Sequence, residues 1–247
     1  MMLARTVEAE ALDSLACDDP AAMQSRRDLR RIHRAMGTRG ILRRALTGML
    51  GHRHDGSPLH VLELGAGDGS LMLGVARALA PTFAAVDLTL LDAQALVDRA
   101  TVQSYAGVGW RAHASVTDVF NWAHTEPGLL RKRGQEARWD LIVVNLFLHH
   151  FEGPALATLL SAVAARCDRF IACEPRRGWW PLAASHLVGL LGANAVTRAD
   201  AVLSVKAGFK GRELTALWPQ VEAPWRLAET PAGLLTHCFR AERIGVK

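Results

Sequence analysis

The sequence lacks the cysteine patterns that stabilise small secreted or zinc-bound domains. Its four cysteines, at positions 17, 167, 173 and 238, form no C-x-x-C pair. This scatter argues against a structural zinc site and against a disulfide framework. A chain of 247 residues, half of them hydrophobic, is long enough to be stabilised by a hydrophobic core instead.

Long hydrophobic runs are also missing. The longest apolar stretch, roughly residues 181–196, is interrupted by His186 and Asn194. A transmembrane helix needs about 20 apolar residues, and this stretch is shorter. The first ten residues include Glu8 and Glu10 and have no apolar segment like that of a secretory signal. These absences predict a cytoplasmic protein without a membrane span.

Acidic residues are scarce in one segment, although the whole chain carries a net charge of only +5. Between Arg26 and Arg44 there are eight arginines and one acid, Asp28. Such a segment is typical of a solvated helix face, and it also fits contact with nucleic acid or an anionic membrane. No recognised nucleic-acid-binding motif accompanies it, so we expect no nucleic-acid partner.

The chain divides into two regions by pattern. Residues 1–57 begin a helix near Asp19-Pro20, and apolar residues then recur at helical spacing, with breaks at Gly37 and Gly40. This pattern predicts two amphipathic helices, which we interpret as a cap or lid. The Gly-, His- and Pro-containing loop 51–58 is the expected boundary, and residues 58–247 are expected to form the main domain.

In the main domain, short apolar runs alternate with helical patterns. Strands are predicted near 60–64, 88–92, 108–116, 139–146, 169–174, 225–229 and 234–243, and helices near 70–80, 93–104, 154–167, 181–191 and 211–218. This alternation predicts an α/β fold of Rossmann-like type. We expect a seven-stranded, mostly parallel sheet with an antiparallel last strand, helices on both faces and an N-terminal helical cap.

The strongest local signal is the glycine-rich turn at 61–69, Val-Leu-Glu-Leu-Gly-Ala-Gly-Asp-Gly. A strand that enters such a turn before a helix presents free N–H groups to a ligand. A dinucleotide fingerprint would need glycine where Ser70 stands, and Glu63 would repel a pyrophosphate. These two residues argue against an NAD(P) oxidoreductase. The pattern E-x-G-x-G-x-G resembles motif I of the class I S-adenosylmethionine-dependent methyltransferases.

That resemblance implies S-adenosylmethionine as cofactor and a set of residues that would bind it. Asp92, at the end of the second strand, would accept hydrogen bonds from the ribose hydroxyls; Asp87 is the competing acid. The Thr117–Val119 segment would hold the adenine, although Thr117 and Asp118 are also good helix caps. The complete predicted cofactor set is Glu63, Gly65, Ala66, Gly67, Gly69, Asp92, Ala93, Thr117, Asp118, Val119, Asn145 and Leu146.

Two adjacent histidines follow the fourth strand. His150 is our preferred base or acceptor-positioning group and His149 the second candidate, because imidazole exchanges protons near neutral pH. Glu174, at the end of the fifth strand, is predicted to position an acceptor hydroxyl. Each of these residues can equally be packed into its loop. We see no metal-binding constellation of the catechol methyltransferase type, so no metal is expected.

Sequence features outside the glycine-rich turn bear on the acceptor. There is no Asn-Pro-Pro-aromatic tetrapeptide, which amino-methylating enzymes of nucleic acids and proteins carry after the fourth strand. The runs 173–177 and 194–205 are similar to bacterial methyltransferases of polyketide or phenolic-lipid biosynthesis. This similarity implies a small hydrophobic, phenolic or polyketide-like acceptor, methylated at oxygen or else at carbon. An RNA or protein methyltransferase using Arg26–Arg44 and a non-catalytic cofactor-binding scaffold subunit remain alternatives. A homodimer is one option for the oligomeric state.

Overall fold

A seven-stranded sheet forms the centre of the protein. The computed structural model describes residues 3–51, 58–125, 138–220 and 224–245. The strands are β1 Leu59–Leu64, β2 Val86–Asp92, β3 Trp110–Val116, β4 Leu141–Asn145, β5 Arg169–Pro175, β6 Trp225–Ala232 and β7 Thr236–Arg243, in the order β3-β2-β1-β4-β5-β7-β6. The first five strands are parallel, and β7 runs antiparallel between β5 and β6. The predicted Rossmann-like α/β sheet is therefore confirmed.

Ten helices surround this sheet among the described residues. They are α1 Ala11–Ser14, α2 Pro20–Met36, α3 Thr38–Leu50, α4 Ser70–Leu79, α5 Arg99–Ala106, α6 Val119–His124, α7 Gly153–Arg166, α8 Trp179–Ser185, α9 Ala195–Ala207 and α10 Glu213–Leu217, with 3₁₀ turns at Leu148–His150 and Val188–Leu191. Within the described part of the chain, none of them is both long and apolar enough to cross a membrane.

Several helix boundaries differ from the prediction. The helix expected from position 93 begins only at Arg99, because the Asp98 side chain accepts the backbone N–H of Thr101 at 2.7 Å and caps it there. Gly40 lies inside α3, and the break comes at Gly37, whose φ of +67° ends α2. The run 194–205, which was not predicted as a helix, forms most of α9.

The sheet is covered on both faces. Neighbouring residues of the central strand β1 point to opposite faces, and both Val61 and Leu62 are buried. Val61 belongs to a core cluster shared with α3, α4 and α5, and Leu62 to one shared with α6, α7 and α10. Because Leu42 and Leu46 of α3 are buried in the first cluster, the N-terminal helices share the core of the sheet. The boundary expected at 57 falls on residues 52–57, outside the described ranges.

A polar joint fixes α2 against α9. The Asn194 side chain caps α9 by accepting the Thr197 N–H at 2.8 Å, accepts the Ser25 hydroxyl at 3.0 Å and donates to the Ala21 carbonyl at 2.9 Å. Asp28, which is buried, accepts the Asn194 N–H at 2.8 Å. This joint holds α2 in a fixed position over the end of the sheet where a ligand would bind.

We predict that Asn194→Ala lowers the free energy of unfolding by about 2 kcal/mol, since it removes a helix cap and two links between helices. Chemical denaturation measures the loss. Asp98→Ala is the matched control, because it removes a cap from α5 but no side-chain link between helices. A loss for Asn194→Ala no larger than that for Asp98→Ala would show that the joint does not stabilise the fold.

Candidate active site

A pocket of about 400 Å³ opens at the carboxyl ends of β1, β2 and β4. Of the fifteen sequence-predicted site residues, the structure places thirteen in its lining: Glu63, Gly65, Ala66, Gly67, Asp92, Ala93, Thr117, Asp118, Val119, Asn145, Leu146, His149 and His150. Gly69 and Glu174 lie outside it. Helix α2 and the residues around α1 form the opposite wall.

The glycine-rich turn lies directly beneath the pocket. Gly65 has φ +69°, and a Cβ atom there would stand 2.6 Å from the Phe147 ring, so only glycine fits. Gly67 has φ +57° and faces open space. Gly69 precedes α4, and its carbonyl accepts the Tyr105 hydroxyl at 2.8 Å. It precedes the first residue of the helix and does not line the pocket, and its predicted contact with a ligand stays a prediction.

Asp92 occupies the position expected of a sugar-binding acid. Its two carboxylate oxygens accept the backbone N–H groups of Gly67 at 2.8 Å and Gln94 at 2.9 Å, which fixes the carboxylate at the pocket rim. The competing acid Asp87 is instead paired with Arg111 at 2.6 Å and does not line the pocket. Of the two acids that the sequence offered as ribose ligands, only Asp92 therefore lines the pocket.

The segment after β3 lines the pocket and also begins a helix. Asp118 caps α6 by accepting the N–H groups of Phe120 at 2.8 Å and Asn121 at 3.1 Å. These bonds use one carboxylate oxygen, Oδ1, so Oδ2 remains available for a ligand. Thr117 and Val119 line the pocket beside it. The capping and ligand-binding interpretations of this segment are therefore compatible.

Two buried oxygen atoms at neighbouring strand ends have no hydrogen-bond partner among the described residues. They are Oε2 of Glu63, on β1, and Oδ1 of Asn145, on β4. Burial, followed by the charges of Asp92 and Asp68, raises the pKa of Glu63 to about 8. A buried acceptor without a donor costs free energy, so this pair is suited to a ligand that brings N–H donors and positive charge.

The chain turns sharply after β4. Leu146 has φ +51°, which is unusual for a residue other than glycine, and its N–H donates to the Cys173 carbonyl at 2.9 Å. This turn carries the following residues along the pocket wall. Such strained positions persist where the surrounding structure fixes them, and they are frequent at functional sites.

His149 is buried between two carboxylates. Its Nδ1 lies 2.8 Å from Glu174 Oε2, and its Nε2 lies 3.2 Å from Glu10 Oε1. Burial lowers the pKa of His149, but the hydrogen bonds and charges of both glutamates outweigh burial and raise the pKa to about 9. Glu174 lies behind the histidine and is fully buried. Its predicted contact with an acceptor stays a prediction.

Glu10 joins the site from the other end of the chain, and sequence reasoning missed it. Its carboxylate lies 3.4 Å from His150 Nε2, although 140 positions separate the two residues. The segment that carries it is anchored, since Asp200 accepts the N–H groups of Ala11 at 2.9 Å and Leu12 at 3.0 Å. The sequence predicted no metal site, yet ligand atoms of Glu10, His149 and His150 lie within 4.8 Å of one another.

Helix α2 contributes four residues to the pocket lining, and their spacing along the sequence is that of one helical face. Arg26, Leu29, Arg30 and His33 follow the i, i+3, i+4, i+7 spacing of one helical face, and all line the pocket. Arg26 donates to the Gln94 side chain at 2.9 Å, and Arg30 pairs with Asp68 at 2.7 Å. Two arginines of the basic segment are therefore engaged within the protein. Further apolar lining comes from Leu12, Leu71, Leu91, Leu96, Phe147 and Phe151.

Comparison with known proteins identifies the fold. No family model matches the chain, and no curated protein matches its sequence. Among solved structures, the plantazolicin methyltransferase BpumL in complex with SAH has a TM-score of 0.58 and 13% identity, covering 94% of both chains. TnmH has a TM-score of 0.55 and 19% identity, covering 95% of this chain and 61% of that one.

Magnesium protoporphyrin IX methyltransferase ChlM from Synechocystis, with bound SAM, has a TM-score of 0.51 and 12% identity. The alignment covers 94% of this chain and 88% of ChlM. At such low identities the likeness shows a shared fold. The chain has the fold of methyltransferases of known structure, as the resemblance at the glycine-rich turn implied.

The raised pKa of Glu63 predicts that the stability difference between the wild type and a Glu63→Gln variant depends on pH. Its folded-state pKa of about 8 exceeds the ordinary 4.5, so the folded protein keeps a proton that the unfolded chain loses between these values. Stability due to this group is present below pH 4.5 and is lost as pH rises through 8. We expect Glu63→Gln to match the wild type near pH 5 and to be more stable near pH 8.5, by on the order of 2 kcal/mol.

Denaturant titrations at the two pH values measure this difference. Glu8→Gln, which changes an exposed acid near the start of the chain, is the control for the change in net charge. If Glu63→Gln changes stability equally at both pH values, the carboxyl group is not buried as described.

Proposed function

We propose that this protein is a methyltransferase that transfers a methyl group from S-adenosylmethionine to a hydroxyl of a small hydrophobic acceptor. The observation that carries the proposal is the pair of unpartnered buried oxygens on Glu63 and Asn145. They lie beside a glycine-rich turn at the carboxyl edge of the sheet, the usual ligand position in open α/β sheets. The methionine ammonium group would supply both the N–H donors and the positive charge that these atoms lack.

The rest of the pocket fits the nucleoside part of the cofactor. Asp92 would accept the ribose hydroxyls, because the backbone bonds from Gly67 and Gln94 already fix its orientation and leave lone pairs free. Thr117, Asp118 and Val119 would hold the adenine, with the free Asp118 oxygen accepting its amino group. Ala66 and Ala93 leave room for close approach of the ligand to the backbone.

The bound cofactor supplies a methyl group on a positively charged sulfur, which needs no further activation. What remains for the protein is to align the acceptor, exclude water and remove the hydroxyl proton. The cluster of Glu10, His149 and His150 combines two imidazoles and a carboxylate at the pocket wall and can accept that proton. Glu174 positions His149 through the 2.8 Å bond to Nδ1.

The apolar wall supports a hydrophobic acceptor. Leu12, Leu29, Phe147 and Phe151 line the same pocket as the histidine cluster. Edge-to-face packing of Phe147 and Phe151, with centroids 5.1 Å apart, forms an aromatic surface against which a flat ring can lie. A proton-accepting cluster beside an aromatic surface fits a phenolic hydroxyl, and therefore favours methylation at oxygen. BpumL and ChlM are likewise named for compounds, plantazolicin and magnesium protoporphyrin IX.

An RNA or protein acceptor is less well supported. Arg26 and Arg30, which lie closest to the pocket, are bonded to Gln94 and Asp68 and so are not free for phosphate contacts. The buried carboxyl of Glu63 also disfavours a dinucleotide, because an ionised carboxylate there would repel a pyrophosphate.

We predict that Asp92→Asn weakens binding of S-adenosylhomocysteine by about 10- to 100-fold, since it removes charge-assisted hydrogen bonds to the ribose. Isothermal titration calorimetry measures the affinity. Asp87→Asn is the matched control, as it makes the same change on the same strand outside the pocket, and it should bind like the wild type. Equal weakening by both variants, or tight binding of NAD by the wild type, would contradict the proposal.

We also predict that His149→Gln lowers kcat with a phenolic acceptor by about 100-fold or more, because it removes the imidazole from the acceptor side. The affinity for S-adenosylhomocysteine should change less than about twofold, since the side-chain partners of His149 are Glu174 and Glu10, neither of which is a predicted cofactor residue. The matched control is His237→Gln, which disrupts another buried His–Glu pair, 2.8 Å from Glu229 and outside the pocket lining. Turnover of labelled S-adenosylmethionine is the measurement, and unchanged turnover in His149→Gln would exclude this role.

A further inference from the structure

The cluster of Glu10, His149 and His150 has the donor set of a metal site. Two imidazole nitrogens and a carboxylate are the ligands that zinc and related transition-metal ions take in proteins. The ligand atoms converge on one volume at the wall of the pocket, and none is more than 4.8 Å from another. The hydrogen bonds behind them determine which atoms face that volume.

The tautomer of His149 is set by Glu174. The Glu174 carboxylate accepts the backbone N–H groups of Phe147 at 3.1 Å and Leu148 at 2.9 Å. His149 Nδ1 donates to Glu174, and His149 Nε2 donates to Glu10 at 3.2 Å, so the proton that a metal ion would displace is the one on Nε2. A carboxylate that holds a histidine by one nitrogen while the other binds a metal ion is a recurrent arrangement in metal sites.

The tautomer of His150 is set by the backbone. Its Nδ1 lies 3.0 Å from the Phe147 carbonyl, which can only accept, so Nδ1 donates. Its Nε2 is buried and has no hydrogen-bond partner in the described part of the structure, although Glu10 Oε2 lies 3.4 Å away. Both imidazoles therefore present Nε2 to the same carboxylate.

We propose that Glu10, His149 and His150 bind a divalent transition-metal ion of the zinc type. A tetrahedral ion with bonds of about 2.0 to 2.2 Å separates its ligands by about 3.3 to 3.6 Å. Glu10 Oε1 lies 3.2 Å from His149 Nε2, and Glu10 Oε2 lies 3.4 Å from His150 Nε2, so each imidazole nitrogen is close to this spacing from one oxygen of the carboxylate. A water molecule or an acceptor oxygen would complete the four ligands.

A dication fits the charges at this place. The carboxylates of Glu10 and Glu174 lie on opposite sides of His149. A divalent ion that displaces the Nε2 proton of His149 would keep a positive charge between them. Magnesium fits less well, because it prefers oxygen ligands in octahedral geometry.

The metal site also gives the proposed methyl transfer a way to activate the acceptor, and this role of the ion rests on the proposed function. An acceptor hydroxyl bound as the fourth ligand of the ion would lose its proton to solvent more readily, because the ion would stabilise the oxyanion. The oxygen would then bond to the methyl group as the bond from sulfur to that group breaks, giving the methyl ether and S-adenosylhomocysteine. Metal binding itself needs neither the cofactor nor the acceptor.

The test is a titration of the EDTA-treated protein with Co²⁺, followed by visible absorption and calorimetry. His52 and His54, which are close in sequence, are replaced by glutamine beforehand so that they do not bind the ion. We expect one Co²⁺ per chain, with the intense absorption of a four-coordinate nitrogen and oxygen site, and displacement by Zn²⁺. Glu10→Gln should weaken binding by about 100-fold, and Glu174→Gln by about 10- to 100-fold.

Glu8→Gln, on the same segment and exposed, is the matched control and should bind Co²⁺ like the parent protein. Absence of saturable binding, or equal affinity in the parent and in Glu10→Gln, would overturn the metal site. S-adenosylhomocysteine binding is measured on the same samples. Loss of that binding with Co²⁺ binding intact would contradict the proposed function alone.

Discussion

Burial of the Glu63 carboxyl group at the end of the central strand β1 is the constraint on which the site depends. The strand lies between β2 and β4 and delivers this side chain into the pocket, where it is 3% exposed. Desolvation penalises its charge, and Asp92 penalises it further. A fold that keeps an acid in this position has free energy to gain from a cationic ligand, and Asn145 on β4 offers a second acceptor for the same group.

The opposite side of the pocket is assembled from parts of the chain that are far apart in sequence. Asp200 on α9 anchors the segment around Glu10, while Arg5 donates to the carbonyls of Phe151 and Ala207 at 2.9 and 2.8 Å. The N-terminal residues thus form a fixed wall of the pocket. Two chemically different sides result: an acidic, glycine-rich floor suited to a cationic nucleoside, and a histidine–carboxylate wall suited to an ionisable hydroxyl.

Local sequence patterns were sufficient to predict the sheet and one half of the site. Strand β1, its glycine-rich turn and Asp92 are close in sequence, and a strand end fixes where its side chain points. Of the cluster of Glu10, His149 and His150, the sequence predicted only the two histidines. Glu10 comes close to them because Asp200 on α9 anchors its segment, and hydrophobic periodicity does not reveal such a tertiary contact. Glu174 was placed at the correct edge of the sheet, but its contacts with the chain after β4 were not foreseen, because three backbone N–H groups there bind its carboxylate behind His149.

In the proposed complex, the Glu63 carboxyl group ionises to hold a cationic amine of the cofactor. The most direct measurement is calorimetric titration of S-adenosylhomocysteine at pH 7 in buffers of different ionisation enthalpy. With a pKa of about 8 in the free protein, Glu63 should release roughly one proton on binding, and Glu63→Gln should release none. Binding heats that are the same in every buffer, or identical proton release in the variant, would contradict the account.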